Sequence, residues 1–559
     1  MRVRILGFVL PGAFIIALAG GCGKSGGSPD ANSAPPKTLV LARVHWLGKD
    51  KLAGETNAVR FMKIWGEPES ARIEAQTLDK LSLALARQGT GRGSSTNRLA
   101  GLRQLPMTNN YALLVSNEPS ARLVRPLLDD LVDKELYLEI RQTGGRPAEM
   151  GLAIRLDDRR AALWQTNLAA LATNSASASF VWQRSNGWTF VSMALPSATN
   201  STPVPPALFF SQPPSPGTNW IEADLDLPRL TQLAAFSPLR PFGPFHQVSF
   251  TVTGDGENVR TRGEIVTPGP LPRSLEPWHI PTNLVRDPLI SFTAARGVAP
   301  LLRGLPSPFS LSPSNEPNES FLWDVDGPPF GMFFALWARN VTNLFNQVAP
   351  ALMGTINPRL GPAFGSISRE TNATRLAWTG TAYFSPFLEV STNTDSPVLF
   401  GGLGPHVMAR IRPMPPELLE HIVQQTNLVY FDMEFTGKRI VHWRYLDDVY
   451  RIMSDAHGPR LGYTASLDWI ATNLDNLSYA VTEVKAADTK RLTFARKSTV
   501  GLSALELDLL ANWIELPEFP DGLSTLLATN PTPLRLPGKA GARMATNRPA
   551  AMPGASANR

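Results

Sequence analysis

An α+β protein built on antiparallel sheet, with helices packed on one face, is the fold class that the sequence predicts. Three observations carry that expectation. A strand-helix-hairpin unit recurs about four times along the chain. Hairpin turns fall where two alternating runs meet at Gly or Asn. Finally, 50 prolines and 43 glycines in 559 residues favour many turns and few long helices.

Lead strands of the recurring unit are Leu39 to Val44, Trp220 to Leu225, Leu289 to Ala294 and His406 to Ile411. Helical stretches follow some of them, at Pro228 to Ala235, Val298 to Arg303 and Pro416 to Gln425. Proline near the start of each suits a first helical turn, whose N–H has no partner to lose. Alternation predicts hairpins over Val248 to Val266, Phe180 to Met193, Leu136 to Leu156 and Leu428 to Trp443. Their turns are placed at Gly254 to Asn258, Ser185-Asn186-Gly187, Gly144-Gly145 and Thr436-Gly437-Lys438, where Asn-Gly and Gly-Gly supply the positive backbone angles of tight turns. Two longer helices are expected: Ala58 to Arg87, interrupted at Gly66-Glu67-Pro68, and Phe333 to Met353, whose aromatic and aliphatic residues recur at helical spacing. About fifteen Thr-Asn pairs punctuate the chain and suit caps and turns. A proline-heavy bridge at residues 268–288 divides the body into α+β domains at 38–267 and 289–528.

Ahead of the body, Arg2 and Arg4 precede an uncharged apolar run from Ile5 to Ala19. That run is shorter than the roughly twenty residues of a bilayer-spanning helix, and matches a signal peptide over residues 1–21. It ends in Ala19-Gly20-Gly21-Cys22, which resembles the lipobox of bacterial lipoproteins. The resemblance implies that Cys22 is acylated and becomes the new N-terminus, tethering the protein to a membrane. Gly23 stands where aspartate would retain such a lipoprotein in the inner membrane, so the resemblance favours the outer membrane of a two-membrane host. Residues 22–37, rich in Gly, Ser, Pro and Ala, read as a flexible spacer. Cys22 is also the sole cysteine, which excludes an internal disulfide.

Net charge is +6, but its placement matters more than its sign. Arg2 and Arg4 leave with the signal peptide, and residues 529–559 carry Arg535, Lys539, Arg543, Arg548 and Arg559 without an acid. What remains is near neutral, so no nucleic-acid partner is expected. The 529–559 tail reads as disordered and basic, able to meet anionic lipid or polysaccharide.

Chemistry-bearing motifs are sparse. Gly23-Lys24-Ser25 ends like a phosphate loop, yet the required upstream glycine is Leu18. None of the seven histidines forms the helical pair of a zinc hydrolase, and no Gly-x-Ser-x-Gly elbow occurs. Asp324 and Asp326 offer two carboxylates to calcium, short of the six or more oxygens a site needs. His442, expected in a strand beside Trp443 and Arg444 and ahead of Asp447 and Asp448, is the densest polar and aromatic cluster. No catalytic, metal or cofactor residue is assigned.

Beyond the lipobox the body resembles large envelope lipoproteins of unknown function in overall style, and that likeness implies no activity. A non-catalytic envelope lipoprotein that binds or scaffolds an envelope protein or polysaccharide is the leading expectation. A carrier of apolar ligands and a hydrolase with a dispersed site are the alternatives. The lipobox reading has a direct test: protein from its host should partition into detergent with a lipid-modified Cys22, and Cys22→Ser should yield unlipidated protein by intact-mass measurement. Wild-type protein recovered soluble, with an unmodified thiol, would refute it.

Overall fold

The computed structural model describes residues 38–89, 110–144, 148–174, 180–194, 219–233, 246–267, 269, 275–297, 316–326, 331–359, 365–370, 374–380, 385–392, 397–404, 412–413, 416–453, 464–516, 519–520 and 522–523. The lipobox and Cys22, the 22–37 spacer and the 529–559 tail lie outside them.

In the first half the strands are β1 (Thr38–Trp46), β2 (Leu136–Thr143), β3 (Glu149–Arg155), β4 (Phe180–Ser185), β5 (Trp188–Ala194), β6 (Ile221–Leu225), β7 (Gln247–Gly254) and β8 (Val259–Val266). The second half has β9 (Arg286–Asp287), β10 (Leu289–Arg296), β11 (Glu319–Val325), β12 (Gly331–Trp337), β13 (Ser366–Arg369), β14 (Arg375–Thr379), β15 (Ser385–Ser391), β16 (Val398–Gly404), β17 (Arg412–Pro413), β18 (Leu428–Phe435), β19 (Tyr479–Ala486) and β20 (Arg491–Ser498). Helices are α1 (Lys49–Leu52), α2 (Val59–Trp65), α3 (Pro68–Gly89), α4 (Tyr111–Asn117), α5 (Pro119–Asp133), α6 (Asp158–Asn174) and α7 (Leu227–Leu230). They continue with α8 (Val341–Ile356), α9 (Pro416–Val423), α10 (Thr436–Met453), α11 (Ala465–Asn473) and α12 (Ala504–Glu515). The protein is thus α+β, as the sequence predicts.

Eighteen strands form one antiparallel sheet. From edge to edge its order is β4-β5-β3-β2-β1-β6-β7-β8-β20-β19-β18-β10-β11-β12-β16-β15-β14-β13. Residues 38–267 and 289–528 meet in it at β8 and β20, in register from Val259 opposite Ser498 to Val266 opposite Arg491.

Cross-strand partners share a face of the sheet. Val44, Ala223, Phe250, Gly263 and Phe494 therefore form one row on one face, and His45, Glu222, Thr251, Arg262, Ala495 and Glu483 a row on the other. The first face is apolar and carries α3, α5, α11 and α12; the second is polar over the middle of the sheet. The main core crosses the seam, packing Leu41, Ile140 and Leu225 in one cluster with Phe494, Trp513 and Phe519. Helix α3 is bonded to the distant α11 and α12: Trp469 Nε1 donates to Ser70 Oγ at 2.7 Å, Gln76 to Glu515 at 2.8 Å and Asn473 to Glu67 at 2.8 Å.

Helices do not all gather on one face. Phe431 and Asp432 point oppositely from β18; Ile422 of α9 packs in the cluster of Phe431, while Arg439 of α10 bonds Asp432. These two helices sandwich the strand.

Two expected elements are corrected. Leu428 to Trp443 is not a hairpin: β18 ends at Phe435 and α10 begins at Thr436. A Cβ on Gly437 would lie 2.1 Å from the Leu474 carbonyl, and the Thr436 and Gly437 N–H groups donate to Ser478 and Leu477. From there Arg439, Ile440 and His442 are buried at helical, not alternating, spacing. Phe333 to Met353 is likewise not one helix. Its first part is β12, whose Phe333 and Ala335 pack in one cluster and Phe334 and Leu336 in another, so both faces are covered. Helix α8 starts only where Asn340 caps the Asn343 N–H. The other predicted hairpins form as β2–β3, β4–β5 and β7–β8. Asn186 and Gly187 adopt φ of 50° and 77° at the β4–β5 turn. The break at Gly66-Glu67-Pro68 separates α2 from α3, and Pro228 opens only the one-turn α7. His406 to Ile411 and Val298 to Arg303 lie outside the described residues.

Gly263 gives a test of the seam. A Cβ there would stand 2.2 Å from the Ser249 carbonyl and 2.6 Å from the Phe494 ring. Gly263→Ala should destabilise by about 1–3 kcal/mol through overpacking. Gly54→Ala, whose Cβ would meet nothing closer than 3.5 Å, should stay within about 0.5 kcal/mol by denaturant unfolding.

Candidate ligand-binding cavity

Between the apolar sheet face and the helix layer lies a cavity of about 530 Å3. Its floor is the inward side of β1, β2, β3, β6, β7 and β8, represented by Val44, Leu138, Leu152, Ala223, Phe250 and Thr261. Its roof is drawn from both halves of the chain: Phe61 and Ile64 of α2, Ile73 and Leu78 of α3, Ile470 of α11, and Leu507 and Leu510 of α12.

Five tryptophans line it, Trp46, Trp65, Trp220, Trp469 and Trp513. Each indole N–H already has a protein acceptor. Trp46 donates to the Val132 carbonyl at 2.8 Å, Trp65 to Glu74 at 2.6 Å and Trp469 to Ser70 at 2.7 Å. Trp220 donates to Asn57 Oδ1 at 3.3 Å and Trp513 to the Pro520 carbonyl at 3.1 Å. Only ring carbon is left to face the space. Ser70 also donates to the Ile64 carbonyl at 2.6 Å, and Ser466 donates to Glu515 at 2.6 Å. Glu74 is the sole ionisable lining residue among the described residues, and it holds Lys49 at 2.8 Å besides Trp65. Just behind the lining, burial pushes the Lys80 ammonium down to about 8; it donates to the Ile514 carbonyl and sits 3.9 Å from Glu515.

The polar face holds a wider trough of about 1060 Å3, lined by both halves of the chain. Cations and acids interleave along it: Arg43, Asp224, Arg262, Glu264, Glu483 and Lys485. His45 lies in its floor with Nε2 3.4 Å from Glu135, a carboxylate-held imidazole of the kind that serves as a base. Its ring is stacked on Tyr137 at 4.2 Å and is only 3% exposed, which closes off Nδ1. Burial lowers its proton affinity, so it is neutral near pH 7.

The structure brings together three residues that the sequence singled out separately. Asp324 and Asp326 end β11, and His442, on α10 rather than in a strand, has Nε2 4.0 Å from Asp326. Lys438 pairs with Asp326 as well. Asp324 is buried and accepts from Ser291 Oγ at 2.8 Å, with Arg439 at 3.5 Å. Arg439 also meets Asp432 at 3.2 Å and Glu434 at 2.6 Å. Glu434 in turn accepts from the Ala504 N–H, at the start of α12, at 2.6 Å and from Thr436 Oγ1 at 3.0 Å. Burial alone would weaken proton binding by Arg439, yet its carboxylates, Asp432 first, raise it; burial holds Asp324 and Glu434 above the usual carboxylate range. Burial lowers His442. This is a sealed charge network that locks α10 and α12 onto the sheet. No group of three metal-ligating side chains occurs among the described residues. The side chains of Asp447 and Asp448 lie outside them.

The apolar residues of Phe333 to Met353 do not line this cavity. Leu344 and Phe345 of that segment are fully buried in a filled core, and the cavity lies in the other part of the sheet. Its tryptophans are scattered from residue 46 to 513, so no local pattern marks them.

Removing Arg439 tests the network. Arg439→Met strands three buried acids and should cost about 3–5 kcal/mol at pH 7. Acids whose folded pKa is raised bind more protons folded than unfolded, so their burden falls with falling pH. The loss should therefore shrink at pH 5 in denaturant titrations. An equal loss at both pH values would show that the charges are not what the variant disturbs.

Among the described residues no helix is long and apolar enough to cross a membrane. Compared with protein-family models, curated proteins and solved structures, the chain matches none.

Proposed function

We propose that this protein is a non-catalytic, lipid-anchored envelope protein that holds an apolar ligand between its sheet and its helix layer. The observation that carries the reading is the 530 Å3 cavity whose five indoles have their N–H groups turned to protein acceptors. Ligand sites commonly enclose about 300–1,000 Å3 and are mainly apolar. Cavities lined this way stay dry, because a water needs two or more polar partners. Left empty, such a space denies its lining part of the apolar contact that a packed core provides. A guest that fills it recovers much of that.

The proposed address is Cys22, acylated and cleaved as in lipoproteins, with residues 22–37 as the tether and the outer membrane favoured by Gly23. An envelope protein or polysaccharide remains the proposed macromolecular partner, with the basic tail as one point of contact. We also infer repeated units behind the fold: β1 with β2–β3, β6 with β7–β8 and β10 with β11–β12 begin at three of the expected lead strands, and β18 with β19–β20 makes a fourth, the expected lead strand at His406 to Ile411 lying outside the described residues. The pairings support this, since β1 lies beside β6, β10 beside β18 and β8 beside β20, each hairpin extending away from its lead strand.

Brominated hydrocarbon quenches indole fluorescence on contact, which makes the lining its own reporter. Bromo-substituted lipid should quench a large part of the tryptophan emission, saturably, and raise the melting temperature by mass action. Ala223→Phe, which fills the cavity from its floor, should abolish both effects without lowering stability by more than about 1–3 kcal/mol. Saturable quenching that survives Ala223→Phe would place the guest elsewhere.

A further inference from the structure

Resting on that reading, we propose that the cavity takes a hydrocarbon chain of an amphiphile and leaves the head group outside, so that the protein is indifferent to head-group charge. Shape is the first support. The lining runs from Leu152 on β3 to Thr261 on β8, across six neighbouring strands. At about 4.8 Å between strands that path is about 24 Å long. A path of that length matches an extended long acyl chain.

Chemistry is the second support. A polar group carried into the cavity would leave its water partners and find few in exchange, because the indole N–H groups, Ser70, Ser466 and Glu74 are engaged with protein, which leaves the hydroxyls of Thr77 and Thr261. A ligand with polar atoms along its length is therefore refused. One with all its polarity at a single end can enter by the other end.

The test uses the full mature chain carrying Cys22→Ser, which removes the need for detergent. Palmitic acid, hexadecanol and palmitoyl-lysophosphatidylcholine share one chain and differ in head-group charge. Measured below their critical micelle concentrations by displacement of a bromo-substituted chain, read as recovery of the quenched tryptophan emission, their affinities should agree within about threefold, whereas each methylene added between lauryl and palmityl chains should strengthen binding about fourfold. Leu152→Trp, at the β3 end, should weaken the longest chains and spare lauryl; Val259→Phe, at the β8 end, is the parallel variant should the first fail to fold. Affinities that differ more than about tenfold between head groups, or that do not grow with chain length, would overturn this inference while leaving an apolar site in place. Failure of every probe to compete, with no saturable quenching by the brominated chain itself, would overturn the cavity reading.

Discussion

At the seam between β8 and β20 two distant stretches of chain become one sheet, and every larger feature depends on that ladder holding its register. A shift by one residue would turn Phe494 and Leu492 to the polar side and bring Ala495 and Thr493 to the core. Gly263 fixes the alignment from the other side, since only a hydrogen fits between the Ser249 carbonyl and the Phe494 ring. With the register set, the apolar face runs unbroken across the seam. Helices α11 and α12 can then roof a floor made by strands from the other half.

The roof is held by polar bonds at its margins as well as by the apolar cluster that packs Leu78, Trp513 and Ile514 with the sheet. Gln76 and Ser466 converge on Glu515, Asn473 reaches Glu67, and the Trp469 indole bonds Ser70. Such bonds are directional, so they set the height of the helices above the sheet without requiring the space beneath to be filled. Farther along, Arg439 and its three carboxylates do the same for α10, and Glu434 ties that helix to the first turn of α12. Buried charges of this kind contribute little net stability, but they are intolerant of displacement.

Much of the framework was legible in the sequence. The hairpin at Asn186-Gly187, the helix break at Gly66-Glu67-Pro68 and the lead strands of β1, β6 and β10 each follow from local rules of turn chemistry and alternation. The errors arose where tertiary contacts overrode such rules. Ile440, Val441, Trp443 and Tyr445 have the composition of a strand, yet the segment is helical because Arg439 must reach carboxylates on β18 and β11. Phe333 to Trp337 has helical spacing by accident, because a strand covered on both faces shows no alternation. The cavity left no trace in any window, since its lining is contributed by segments more than four hundred residues apart.

The crossing of the core over the seam has a further consequence for how the chain reaches its native state. Leu41, Ile140 and Trp220 share their cluster with Trp513 and Phe519, so the first half of the molecule cannot bury its apolar face until nearly the last of its strands and helices are present. Contacts of such long sequence separation are slow to form, because loop closure must precede any gain from them. During synthesis, the sheet face of residues 38–267 stays wet and adhesive for hundreds of residues of chain growth. The attachment at Cys22 proposed above would place this long interval of incomplete folding beside a lipid surface, which competes for the same apolar face.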